Sequence, residues 1–174
     1  QRIRLTETAP AATAARQPSN APADSNEAFI LSLVKGAQES QRVTGVPSSV
    51  TLAQAIHETS WGSSYLAREA NNYFGIKARA GEPSVTLETT EYVNGKSVVV
   101  RQQFRKYGSM AESFADHARL ICERVNSKGQ KIYAAALAHP TDPIAFAHAL
   151  TGIYATDPQY GSKLASILRD RGLL

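Results

Sequence analysis

Glu58 has the strongest case for acid–base chemistry, and its neighbours decide which kind. It follows His57 in the segment QAIHETSWG, so the pair matches the start of the zinc-protease helix motif H-E-x-x-H. That motif needs a second histidine four residues after the first, and the chain has Trp61 there. The other histidines and the single cysteine show no ligand spacing either. We therefore predict no metal and no cofactor.

A proton-donating role for Glu58 follows from its predicted place in the last turn of a helix. The partial negative charge of a helix C-terminus disfavours the carboxylate anion. Apolar neighbours, Trp61 and Phe74 among them, would desolvate it, so both effects should raise the pKa of Glu58. A carboxyl that keeps its proton near neutral pH is what a glycosidase uses to protonate a leaving oxygen. The alternative is a solvated glutamate at a helix end.

The elements that must position Glu58 are predicted to be mostly helices. Apolar residues recur at helical spacing before residue 71 and after residue 108, and Ser109, Asp142 and Asp157 are expected N-caps. Between these regions, SVTLETTEY and KSVVVRQQF flank Asn94-Gly95, which is typical of a two-residue hairpin turn. The sequence therefore predicts an α+β fold, mostly α, with a helical body and a small β-hairpin lobe flanking a cleft.

The composition indicates how the chain is divided into domains and which classes of partner it can bind. Residues 1–25 are rich in Ala, Thr, Pro and Ser and are expected to form a flexible tether, while residues 26–174 form one domain. A net charge of +4 favours anionic partners. The basic residues are spread along the chain, which argues against nucleic acid. No apolar run is long enough to span a membrane.

Four segments occur in an order that resembles a known family: LAQAIHETSWG (52–62), NNYFGIKA (71–78), TTEYVNGK (89–96) and GIYATDPQYGSKL (152–164). Together they are similar to the glucosaminidase domains of bacterial peptidoglycan hydrolases, glycoside hydrolase family 73, which include many autolysins and the wall-cutting domain of the flagellar rod-assembly protein. The resemblance covers residues 26–174. It implies a lysozyme-like fold and an exported enzyme, periplasmic or attached to the cell wall. One departure is HETSWG at 57–62, where family members often have L-E-S-G-W-G.

The resemblance also implies catalytic residues. Glu58 would be the general acid, Glu91 the second carboxylate on the hairpin, and Tyr154 a functional tyrosine across the cleft. Glu88 is the rival of Glu91, from the opposite face of the strand. Tyr160 is less suited to catalysis and is expected to pack.

Substrate contacts are predicted for Trp61, Asn72, Tyr73 and Phe74. Aromatic rings suit the apolar faces of sugars, and the Asn72 amide could bond an N-acetyl group. The alternative for Trp61 and Phe74 is a place in the core.

The expected activity is an endo-β-N-acetylglucosaminidase acting on peptidoglycan glycan strands, at the bond from N-acetylglucosamine to N-acetylmuramic acid. The expected form is a monomeric catalytic domain tethered to another segment. If Glu91 acts as a base on water, the two carboxyl groups should lie roughly 6.5–9.5 Å apart and the anomeric centre is inverted. If Glu91 acts as a nucleophile, the separation should be roughly 5–5.5 Å. In a third mechanism the substrate's own acetamido oxygen attacks the anomeric carbon. The alternative functions are a muramidase or lytic transglycosylase on the same fold, or a non-catalytic wall-binding module.

Overall fold

Helices packed around a central one make up most of the structure, with one hairpin inserted between them. A computed structural model of the chain describes residues 23–93 and 96–174, with side chains throughout except at 23, 24 and 91–96. The elements in chain order are α1 (Ala23–Thr44), α2 (Ser48–Thr59), α3 (Tyr65–Ala70), β1 (Ser84–Val93), β2 (Lys96–Arg105), α4 (Met110–Glu123), α5 (Ala134–Leu137), α6 (Pro143–Ala149) and α7 (Tyr160–Asp170). This order confirms the predicted α+β class with mostly helical content.

The predicted tether, residues 1–25, lies largely outside the described residues. Helix α1 already begins at Ala23, so the last three positions of that range are helical. Among the helices that the structure describes, none combines the length and apolar character needed to cross a bilayer.

Local capping signals set where two helices begin. The Ser109 hydroxyl accepts a hydrogen bond from the backbone N–H of Glu112 at 3.2 Å, ahead of α4. Asp142 accepts one from the N–H of Ala145 at 2.9 Å, and Pro143 occupies the first turn of α6. These side chains satisfy N–H groups that have no partner inside the helix, as the sequence predicted.

Asp157 differs from its predicted role. Helix α7 begins at Tyr160 with Gln159 as the preceding residue, so Asp157 lies too early to be the N-cap. Its carboxylate instead accepts the N–H of Gln159 at 3.0 Å and forms an ion pair with Lys163 at 2.7 Å. Asp157 therefore holds the turn that leads into α7.

Helix α2 is the central element, because apolar clusters cover two of its sides. On one side Leu52 and Ala55 pack with Leu33 of α1. On the other side Val50 and Ala53 belong to the cluster that α6 and α7 also line. Burying a side chain such as Leu52 contributes about 1.5–3 kcal/mol. This packing fixes the direction of α2 and with it the position of Glu58 at its end.

The hairpin has an unbroken antiparallel register. Ser84 lies opposite Arg105 at its base and Val93 lies opposite Lys96 at its tip. Two residues, 94 and 95, remain for the predicted Asn-Gly turn, and they lie outside the described residues.

Only the base of the hairpin is anchored in the described core. Phe104 of β2 is fully buried against Leu66 and Ala70 of α3. Farther along, Val98 and Val99 are exposed. The described outer residues of β2 are therefore more exposed than Phe104 near its base.

Candidate functional site

Glu58 lies in the last turn of α2, as predicted, and its side chain is half-buried. Its Oε1 atom accepts a hydrogen bond of 2.9 Å from the hydroxyl of Tyr160, the first residue of α7. The acid is thus held by a residue 102 positions away in the chain.

A chain of buried polar groups continues behind Tyr160. Gln54 donates from Nε2 to the Tyr160 oxygen at 3.1 Å, and Gln54 Oε1 lies 3.1 Å from Nε2 of His117 on α4. The three side chains belong to residues that are 0% exposed. Helices α2, α4 and α7 therefore meet through hydrogen bonds directly behind the carboxyl of Glu58.

Tyr160 remains a neutral donor over the working range of an enzyme. Burial first, and then the neighbouring charge of Glu58, raise the pKa of Tyr160 well above its ordinary value of about 10. Its hydroxyl therefore keeps its hydrogen and can donate it to Glu58.

Aromatic stacking holds this polar chain in place. The ring of Tyr154 stacks on Tyr160 with centroids 5.5 Å apart, and Phe74 stacks on His117 at 3.8 Å. The His57 ring meets Tyr160 edge-on at 5.5 Å. Such ring pairs stabilise beyond simple burial by about 0.5–1.5 kcal/mol each.

Tyr154, the tyrosine that the resemblance singled out, packs beside Tyr160. It is 1% exposed, and its ring stacks on that of Tyr160, whose hydroxyl bonds Glu58. Tyr160, which was expected only to pack, also donates a hydrogen bond to Glu58.

Trp61 follows Glu58 in a turn of unusual backbone conformation. Ser60, Trp61 and Gly62 all have positive φ, at 47°, 61° and 76°. A left-handed conformation is uncommon for residues other than glycine and costs about 1–2 kcal/mol each. Thr59 offsets part of this cost, because its hydroxyl accepts the N–H of Gly62 at 2.8 Å.

The turn leaves the Trp61 ring half-buried at the surface, three residues beyond the acid. The Arg171 guanidinium lies 4.5 Å from the ring centroid, over one face. A cation over a tryptophan face is attractive and fixes the ring. Because the ring is only half-buried, Trp61 keeps an exposed part for the predicted sugar contact.

Asn72 and Phe74 lie in the interior, which differs from their predicted contact with substrate. Both are 1% exposed. The Asn72 amide donates to the carbonyls of Ile76 and Arg105 at 2.9 and 2.8 Å and accepts the N–H of Ile76 at 3.0 Å. Both amide hydrogens are thus engaged in closing the loop after α3 onto the end of β2.

Tyr73 lies between these two residues and is half-buried. Its ring meets Phe114 edge-on at 5.8 Å, and its backbone N–H donates to Ser113 at 3.2 Å. Of the loop residues singled out in the sequence, Tyr73 keeps some exposure for a substrate.

Glu91 lies on the outer half of β1, opposite Val98, and its side chain falls outside the described residues. Along β1, Val85 and Leu87 pack against the base cluster, and Thr89 is buried. Glu88, on the alternate face, is exposed. The pleat therefore places Glu88 on the face opposite to that of Val85, Leu87 and Thr89.

The polar chain behind Glu58 was not recognised in the sequence, although part of it left a signal. Gln54 lies one helical turn before Glu58, in a stretch of α2 that is otherwise apolar. His117 likewise falls on the apolar face of α4. Within residues 23–93 and 96–174, no three His, Cys, Asp or Glu side chains group as metal ligands would.

Comparison with known proteins is consistent with this arrangement. The glucosaminidase family profile, described as mannosyl-glycoprotein endo-beta-N-acetylglucosaminidase, matches residues 34–173. The chain is 41% identical to an autolysin of Enterococcus faecalis over 149 residues, which is 84% of this chain and 20% of that protein. It is also 41% identical to the exo-glucosaminidase LytG of Bacillus subtilis over 145 residues, covering 83% of this chain and 51% of LytG.

Among solved structures, the catalytic domain of the autolysin Auto from Listeria monocytogenes has a TM-score of 0.77 with this chain at 30% identity. The match covers 92% of this chain and 89% of that domain. By contrast, the chain spans about half of LytG and a fifth of the Enterococcus autolysin.

Proposed function

Because this chain belongs to the glucosaminidase family, glycoside hydrolase family 73, we propose that it hydrolyses the β-1,4 bond from N-acetylglucosamine to N-acetylmuramic acid within peptidoglycan glycan strands. Glu58 is the general acid. The observation that carries this proposal is a half-buried carboxyl at the end of α2, with one oxygen held by a neutral tyrosine.

In the first step Glu58 gives its proton to the glycosidic oxygen as the bond from the sugar C1 to that oxygen breaks. The bonding electrons go to the leaving oxygen, and the carboxylate that remains keeps its hydrogen bond from Tyr160. Such a bond is worth more to a charged than to a neutral acceptor. The interaction therefore strengthens as the transition state forms.

Glu91 is our proposed second carboxylate. It would remove a proton from the water that attacks C1, on the face opposite the leaving group, and so invert the anomeric centre. It lies toward the tip of the hairpin, opposite Val98 in the antiparallel register. If the substrate's acetamido oxygen attacks C1 instead, replacing Glu91 should have little effect.

Trp61 and Tyr73 are our proposed sugar contacts, because both combine an aromatic face with partial exposure.

The positive charge of the protein surface also suits an anionic cell-wall polymer. A cavity of about 580 Å³ beside α4 is lined by five basic and two acidic side chains: Lys77, Arg79, Arg105, Arg119, Arg124, Asp116 and Glu123. Since peptidoglycan lies outside the cytoplasmic membrane, we propose an exported protein, periplasmic or at the cell wall.

The similarity to the exo-glucosaminidase LytG supports a second candidate, exo-acting glucosaminidase activity, which would cut the same bond starting from strand ends. Size analysis of early digestion products distinguishes the two modes. An endo enzyme yields long fragments first, whereas an exo enzyme yields the smallest saccharides from the start.

The decisive experiment digests purified peptidoglycan with the wild type and with Glu58→Gln, and identifies the new reducing ends by mass spectrometry. We expect reducing-end N-acetylglucosamine, and a loss of about 10²–10⁴-fold in kcat for Glu58→Gln. Glu69→Gln is the matched control, because Glu69 is an exposed glutamate in a helix, α3. Glu91→Gln in the same assay tests the second carboxylate.

Other products would redirect the proposal. Reducing-end N-acetylmuramic acid or a 1,6-anhydro product would identify a muramidase or a lytic transglycosylase. Wild-type protein that binds the wall without releasing new ends would identify a binding module.

A further inference from the structure

The hydrogen bonds behind Glu58 have only one consistent direction. Gln54 points its Nε2 at Tyr160, and an amide nitrogen can only donate, so the Tyr160 oxygen accepts there. The single hydrogen of Tyr160 is therefore left for Glu58 Oε1. At the other end Gln54 Oε1 can only accept, so Nε2 of His117 must carry the ring hydrogen.

All three donors thus point the same way, from His117 through Gln54 and Tyr160 to Glu58. The intermediate groups are buried, and in a buried chain each hydrogen bond polarises the next. The titratable groups around the chain are Glu58 and His57 of α2, Tyr154 ahead of α7, and His117 of α4.

Building on the proposed function, we propose that Tyr160, Gln54 and His117 are positioning residues that keep Glu58 Oε1 as an acceptor, so that the acid proton resides on Oε2. A protonated carboxyl has one hydrogen, and Tyr160 already supplies the hydrogen between its own oxygen and Oε1. The proton that goes to the glycosidic oxygen must then leave from Oε2. The chain fixes which oxygen faces the substrate and stabilises the anion left behind.

The test compares two isosteric changes, Tyr160→Phe and Tyr133→Phe. Tyr133 lies in the same aromatic cluster, is 1% exposed, and its hydroxyl has no hydrogen-bond partner within the described part of the chain. Both variants lose one buried hydroxyl, but only Tyr160→Phe removes the bond to Glu58. Thermal melts verify that each variant is folded.

For Tyr160→Phe we expect kcat on peptidoglycan to fall about 10- to 100-fold with KM within about two-fold, as loss of a bond to a charged group implies. The basic limb of the pH–rate profile should move to higher pH by about one unit, because the Glu58 anion loses its donor. Tyr133→Phe should keep the wild-type rate and profile.

A rate loss in Tyr160→Phe without movement of the basic limb would mean that Tyr160 only packs, and an unchanged rate would also overturn the proposal. If Glu58→Gln kept its activity, the proposed function itself would be wrong. Failure of the positioning proposal and failure of the proposed function therefore give different results.

An independent measurement reads the direction of the chain in the wild-type protein. Nitrogen-15 NMR of the histidine rings, with the His117 signals assigned from a His117→Gln variant, should show hydrogen on Nε2. Hydrogen on Nδ1 would reverse the chain, make Glu58 the donor to Tyr160 through Oε1, and refute the proposal.

Discussion

The glycine at position 62 should be among the costliest small residues to replace in this protein. Gly62 follows Trp61 in the turn beyond the acid and has φ +76°. A methyl group added there would lie 2.5 Å from the Phe29 ring of α1, which is closer than atoms can pack. The change Gly62→Ala therefore adds two penalties, a strained backbone and a steric clash.

A matched control separates the two penalties. Gly45 has the same φ of +76°, but an added methyl group there meets nothing within 4 Å. Alanine in a left-handed conformation costs about 1–2 kcal/mol, and the stiffer unfolded chain returns about 0.4–1 kcal/mol. Gly45→Ala should thus lower the free energy of unfolding by about 1 kcal/mol. The clash with Phe29 adds about 1–3 kcal/mol, so Gly62→Ala should cost about 2–4 kcal/mol.

Urea unfolding of the two variants measures this difference, and a thermal melt should show it as about 2–4 °C per kcal/mol for a chain of this size. Phe29→Ala completes a double-mutant cycle: in that background, Gly62→Ala should cost no more than Gly45→Ala. Equal costs at positions 45 and 62 in the wild-type background would refute the reasoning, because the contact with Phe29 would then contribute nothing.

Two further predictions concern buried polar groups. Asn72→Ala should lower the free energy of unfolding by about 2–4 kcal/mol in urea, because the buried backbone groups of Ile76 and Arg105 lose their partners; a loss below 1 kcal/mol would contradict this loop-closing role. Stability should fall above about pH 10, because the raised pKa of Tyr160 makes the folded state keep a proton that the unfolded state releases. The slope should approach 1.4 kcal/mol per pH unit for this residue, with no effect below pH 10, and Tyr160→Phe should show a shallower alkaline decline in urea melts; equal declines would contradict it.

The sequence was sufficient to predict those features that depend on interactions between residues close together in the chain. The Ser109 and Asp142 caps act within three residues of themselves, and both are present. The hairpin register follows from alternation and a two-residue gap. Glu58 occupies the last turn of its helix because the apolar spacing of α2 ends there. The predicted N-cap at Asp157 is the exception. Asp157 forms an ion pair with Lys163, and α7 begins at Tyr160, after Gln159.

The sequence by itself determined the fold class and the family, because both depend on residue types in short, ordered segments, and it singled out Glu58 as the proposed acid. Only the tertiary structure showed that the Tyr160 hydroxyl bonds Glu58. Tyr154 and Tyr160 lie in one segment with similar surroundings in the sequence, and both are far along the chain from the acid. This bond depends on how α7 packs against α2. The hydrogen-bond partners of Gln54 and His117 are also set by how the helices pack. Hydrogen bonds between helices far apart in the chain have no characteristic sequence spacing, so they cannot be predicted from the sequence.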